Sequence, residues 1–72
     1  MNLREDIIEV HEQYKELEKN LDSKLGDERE PYVSSLRKAL TAIICAQAQY
    51  ENRNRRGAEL KIEEARELLD NL

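Results

Sequence analysis

The sequence predicts an all-α protein: an antiparallel helical hairpin followed by a third helical segment. Three observations carry that expectation. Apolar residues recur in alternating steps of three and four along three separate stretches, the spacing that lines one face of a helix. Charged residues make up 39% of the 72 positions and aromatic residues only 4%, a composition of long helices rather than of sandwiches or barrels. Two glycines and one proline are the chain's main conformational punctuation, and each falls where a helix is expected to start, stop or change phase. The apolar spacing is too regular for a disordered chain of the same polarity.

The first helix is expected over about residues 3–25. Leu3, Ile7, Val10, Tyr14, Leu17 and Leu21 form a heptad-like seam. Asn2 and Glu5 have the spacing of a capping pair, and Gly26, after Lys24 and Leu25, reads as a left-handed stop with a cation in the last turn. The charged stretch from Gly26 to Glu30 then forms a short connection.

Pro31 suits the first turn of a second helix, where its missing N–H is not needed, and that helix is expected over about residues 31–54. Its expected seam is Val33, Leu36, Leu40, Ile43, Gln47 and Tyr50, with Gln47 as a buried, register-setting amide. Ala39, Ala42 and Ala46 form a second stripe beside it, so this helix should be buried on more than one side.

The last segment, about residues 58–71, has its own seam at Ala58, Ile62, Ala65, Leu69 and Leu72. Its apolar face is displaced by one residue from the rhythm of the second helix, and Gly57 lies at the displacement. The chain either breaks there into a third helix or continues as one helix with a stutter, since a helical glycine costs only about 1 kcal/mol relative to alanine. Residues 1–72 therefore form a single helical domain, closed as a three-helix bundle or as a dimeric bundle of two hairpins. A chain this short buries only roughly 60–65% of its unfolded surface, so assistance from a second chain is expected.

Composition also limits function. The formal net charge is -4, and it is unevenly distributed: -3 over residues 1–25, -2 over 26–30, +4 over 31–57 and -3 over 58–72. Such a balance argues against binding to nucleic acid in bulk. The longest uncharged run, Ala39–Tyr50, is too short for a membrane span of about 20 residues. From one cysteine, Cys45, and a charged N-terminal stretch without a signal-peptide run, a cytoplasmic location is expected.

The candidate binding residues are Tyr50, Arg53, Arg55 and Arg56, clustered around the stretch NRNRRG. An internal role is open to them: in the hairpin, Arg53 and Arg56 come near Glu5, Asp6 and Glu9 and could pair with them. A second reading is that they receive an acidic patch of a protein partner, with Arg55 pointing outward. A small phosphorylated ligand such as a nucleotide would use the arginine forks, stacking on Tyr50 and free N–H groups at the start of the third helix.

Other constellations carry less. His11 flanks the first seam without a second ligand and is expected at a solvated edge, while Cys45 is expected as a buried small apolar residue. Glu9 and Glu12 with Glu67 and Asp70 have the i, i+3 spacing by which all-helical nucleotide pyrophosphatases hold Mg2+, but 16 acidic residues generate that spacing by chance. No catalytic residue, metal ligand or cofactor is assigned. The expected function is that of a small non-enzymatic helical binding protein, an adaptor, regulator or inhibitor acting through protein–protein interaction and assembling as a homodimer. The alternatives are an oligomeric binder of a phosphorylated ligand and a Mg-dependent all-α nucleotide pyrophosphatase.

Overall fold

A computed structural model describes residues 2–72 and contains three α-helices: α1 (Leu3–Lys19), α2 (Arg29–Glu51) and α3 (Arg55–Asp70). Its Cα atoms span 42 × 16 × 16 Å, a short rod whose length is set by α2, since 23 residues at about 1.5 Å each reach about 35 Å. Every pair of helices is in contact, and α2 against α3 is the most extensive pairing. The all-α expectation holds, and the chain breaks after α2 rather than continuing with a stutter.

Helix α1 starts as expected, with the Asn2 side chain accepting from the Arg4 N–H at 3.0 Å and with Glu5 and Asp6 in the first turn, where the helix dipole favours negative charge. It ends six residues earlier than expected. After Lys19 the chain tightens into a 3-10 turn over Asn20–Ser23, extends through Lys24 and Leu25, and makes a second 3-10 turn over Gly26–Glu28. The reason lies in α2. The Tyr32 hydroxyl donates to the Leu17 carbonyl, and the Arg29 guanidinium donates to the Leu21 carbonyl at 3.1 Å, so groups from the next helix satisfy acceptors at the end of α1. Gly26 does take a left-handed φ of +61°, but it opens the connection to α2 instead of capping α1. Lys24, with its ammonium 5.1 Å from the Tyr32 ring centroid, closes the turn over the same side chain.

Helix α2 begins at Arg29, which still leaves Pro31 in the first turn, and stops at Glu51 instead of near residue 54. Its buried ladder is Tyr32, Leu36, Ala39, Ile43 and Ala46, with Ala42 alongside. The expected seam is therefore corrected by one stripe: Val33 and Leu40 are half-buried, and Gln47 and Tyr50 are exposed, so Gln47 is not a buried register-setting amide. Leu36 and Ile43 belong to both stripes, and side-chain size alone does not separate them. Because α2 packs on two neighbours at once, its buried face runs between the large apolar residues and the alanines.

The core joins Leu3, Ile7 and Val10 of α1 to that ladder and to Ala58, Ile62, Ala65 and Leu69 of α3, the face expected for the last segment. Tyr14, Leu17, Leu21, Leu68 and Leu72 pack against it from the edges. Ala39, Ala46, Ala58 and Ala65 are 0% exposed, so small residues on both sides of the α2–α3 contact let the helix axes approach closely.

Candidate functional site

The turn between α2 and α3 is built by two interlocked caps. The Asn54 N–H donates to the Gln49 carbonyl at 2.8 Å and the Arg53 N–H to the Tyr50 carbonyl at 3.0 Å, the paired bonds of a Schellman stop. Arg53 occupies the left-handed position of that motif, with φ +61°, where glycine is the usual residue. Asn54 then caps α3: its Oδ1 accepts from the Gly57 N–H at 3.1 Å, while its Nδ2 donates to Gln49 Oε1 at 2.8 Å. The helix break is thus centred on Arg53 and Asn54, with Gly57 inside the first turn of α3. A Cβ at residue 57 would lie 2.7 Å from Asn54 Nδ2, so glycine there makes room for the capping side chain.

Replacing Arg53 with Gly should relieve the left-handed strain and raise stability by about 0.5–1 kcal/mol. In a urea titration this is a higher midpoint at unchanged slope; a lower midpoint would mean that the arginine side chain itself holds the turn together.

This turn places three of the four candidate residues together. Tyr50, Arg53 and Arg55 line one surface hollow of roughly 690 Å3 with Asn2, Leu3 and Glu51. Tyr50 and Arg53 therefore do come beside the start of α1, as the hairpin geometry predicts. Arg56, exposed on the first turn of α3, does not line the hollow.

The pairing of the arginines with the acidic face of α1 does not form. Arg66 of α3 takes that role, its Nη2 lying 3.5 Å from Asp6 Oδ1 and 3.7 Å from Glu9 Oε1. The left-handed turn at Arg53 reverses the chain, so α3 and not an extension of α2 lies against Asp6 and Glu9. Among the described residues neither Arg53 nor Arg56 has a carboxylate within salt-bridge distance, while Arg55 points outward as expected, 69% exposed, with its Nε 3.4 Å from Glu59 Oε1 on the helix surface. At the start of α3 the Gly57 and Ala58 N–H groups are taken by Asn54, so two of the donors expected for a phosphate are already occupied.

The remaining constellations resolve differently from one another. Asp70 accepts from Gln13 Nε2 at 3.0 Å and Glu9 faces Arg66, and no group of three His, Cys, Asp or Glu side chains suited to a metal ion occurs among the described residues. Cys45 is half-buried rather than buried; it borders an α2–α3 groove of about 490 Å3 with Lys38 and Lys61. A hydrogen bond to Glu64 and that carboxylate's charge push the Lys61 ammonium above the usual lysine range. His11 is half-buried and stacks on Tyr14, with ring centroids 6.3 Å apart and planes 8° from parallel. Burial, followed by the hydrogen bond and negative charge of Glu18, pushes the Tyr14 phenol up.

A second surface escapes the single-seam reading. Ile8, 48% exposed, and Ile44, 60% exposed, flank a groove of about 420 Å3 between α1 and α2, floored by Ile7, Leu40 and Ile43. No helix of the described chain is long and apolar enough to cross a membrane. Comparison with known proteins returns no matching family model, no similar curated protein and no similar solved structure.

Proposed function

We propose that the protein is a small non-enzymatic binding protein, an adaptor, regulator or inhibitor of the cytoplasm, that docks an acidic segment of a protein partner on the corner between α2 and α3. The observation that carries the reading is that, among the described residues of a net-acidic chain, Arg53 and Arg56 have no carboxylate within salt-bridge distance, with Arg53 held in a backbone conformation unfavourable for its side chain. A backbone outlier of this kind costs about 1–3 kcal/mol and is tolerated most readily where the side chain has work elsewhere. Arginine forks match carboxylates in bidentate geometry, and Tyr50 supplies a half-exposed aromatic face beside them.

A protein partner suits this corner better than a nucleotide. Glu51 lines the same hollow, and its charge opposes a dense phosphate more than it opposes dispersed carboxylates. Asn54 also occupies the Gly57 and Ala58 N–H groups that a phosphate would need.

The test is an NMR titration of labelled protein with a Glu/Asp-rich peptide and, separately, with a nucleoside triphosphate. The peptide should shift resonances of residues 50–56 saturably, and the double substitution Arg53→Ala, Arg56→Ala should weaken it about tenfold or more. Saturable binding of the nucleotide alone would favour the phosphorylated ligand, and silence from both would remove the corner from consideration.

A further inference from the structure

The groove between α1 and α2 carries an arrangement of charge that the corner does not explain. Arg4 and Glu18 lie seven residues on either side of His11 in α1, and Arg37 and Glu51 lie seven residues on either side of Ile44 in α2. Seven residues make about two turns, so each triplet shares one stripe of its helix. His11 and Ile44 line the same groove and therefore lie at one level of the rod. One end of the face thus carries Arg4 on the α1 stripe and Glu51 in the groove itself, and the other end carries Glu18 and Arg37, the latter at the edge where α2 also borders the α2–α3 groove. Among the described residues none of these four has an oppositely charged partner within salt-bridge distance in its own chain.

We infer that this face is the contact surface for a second copy of the chain, with a two-fold axis crossing the rod at the level of His11 and Ile44. Such an axis lays α1 antiparallel on the partner's α1 and α2 antiparallel on the partner's α2. Position 11 meets position 11 and position 44 meets position 44, so Arg4 of each copy meets position 18 of the other, and Glu51 meets position 37. All four charges gain a partner of opposite sign. In the same register Ile8 faces position 14, beside the stacked rings of His11 and Tyr14, and Ala48 faces position 40, a leucine. Lys15 lies opposite position 7 and can lay its methylene stem over the apolar floor while its ammonium stays at the rim. A parallel arrangement about an axis along the rod would instead place Arg4 beside Glu51 of the other copy, and Glu18 beside Arg37. Arg4 and Glu18 would then no longer be partners, and charge reversals in α1 distinguish the two arrangements.

The amount of exposed surface agrees with this occupant. The accessible surface is 5358 Å2, whereas a compact monomer of 8.5 kDa is expected to expose about 4,650 Å2. The excess is of the order of the roughly 800 Å2 that each partner buries in a standard interface. The apolar groove supplies the attraction, and the four end charges select the antiparallel register.

Sedimentation equilibrium over a wide concentration range tests this, with circular dichroism confirming that each variant keeps its helices. The wild-type chain should be a dimer. Ile44→Glu, at a 60% exposed position, should raise the dissociation constant at least about 30-fold. Glu18→Arg should weaken the dimer about tenfold by setting arginine against Arg4, and Arg4→Glu combined with Glu18→Arg should restore it to within about threefold. A monomer at every concentration, a dimer indifferent to Ile44→Glu, or a Glu18→Arg defect that Arg4→Glu fails to rescue would each overturn the inference. The corner at Arg53 plays no part in these readouts, so its failure and the dimer's failure are separable.

Discussion

Leu69→Ala should lower stability by about 2–5 kcal/mol and the melting temperature by at least about 10 °C. Leu69 is 2% exposed and is among the largest fully buried side chains of the molecule. Removing its three outer carbons forfeits their burial and leaves a cavity that the surrounding helices can close only partly. The consequence is large because the chain is small. At about 0.05–0.15 kcal/mol per residue, 72 residues have roughly 4–11 kcal/mol of total stability, so the substitution removes a substantial share of it. Thermal unfolding followed by circular dichroism measures the effect. A shift below about 3 °C would mean that α3 is not packed as described.

Ala46→Leu should also destabilise, by about 1–3 kcal/mol, although it adds apolar volume to a helix. Ala46 is 0% exposed in the α2 ladder that meets α3, and the closeness of that contact depends on small residues. A leucine there must push the helices apart or take a strained rotamer. On an isolated helix the same substitution would be nearly neutral, since alanine and leucine are both good helix formers. Chemical denaturation separates the two cases: a lower midpoint places Ala46 in the contact, and an unchanged midpoint would return it to the flank of the helix. Ser34→Ala, at an exposed α2 position outside both grooves, provides the control and should leave stability within about 0.5 kcal/mol.

The two experiments bear on where sequence patterns are informative. The seam of the last segment, Ala58, Ile62, Ala65 and Leu69, is the buried face of α3, because α3 buries a single stripe and, apart from Leu60 and Leu68, carries no large apolar residue elsewhere. The α2 ladder was harder to read. Several apolar stripes lie side by side there, and periodicity cannot rank them without knowing how many neighbours the helix has. The adjacent pairs Ile7-Ile8 and Ile43-Ile44 contain a further signal. Consecutive residues on a helix point about 100° apart, so one isoleucine of each pair must leave the core, and Ile8 and Ile44 do so into the same groove.

The candidate corner was legible in composition but not in its pairing. Three arginines within six residues mark the place, and the local turn brings Tyr50, Arg53 and Arg55 to one hollow. Which cation meets Asp6 and Glu9 depends on the direction α3 takes after the break, and no local feature of the sequence distinguishes Arg66 from Arg53 for that role. Asp6 and Arg66 are only partly buried, and ion pairs near the surface contribute only about 0–1 kcal/mol, too little to direct the fold.

By itself the sequence determined the all-α class, three helical segments, the antiparallel hairpin and the buried face of the last segment, because these follow from periodic burial and local capping within each segment, whereas the break between α2 and α3 was shown only by the structure. The tertiary structure alone decided where α1 ends, which stripe of α2 is core, and which arginines remain unpaired. Each of those depends on groups brought together from distant parts of the chain: Tyr32 and Arg29 on the carbonyls of Leu17 and Leu21, α3 against the alanines of α2, and Arg66 between Asp6 and Glu9.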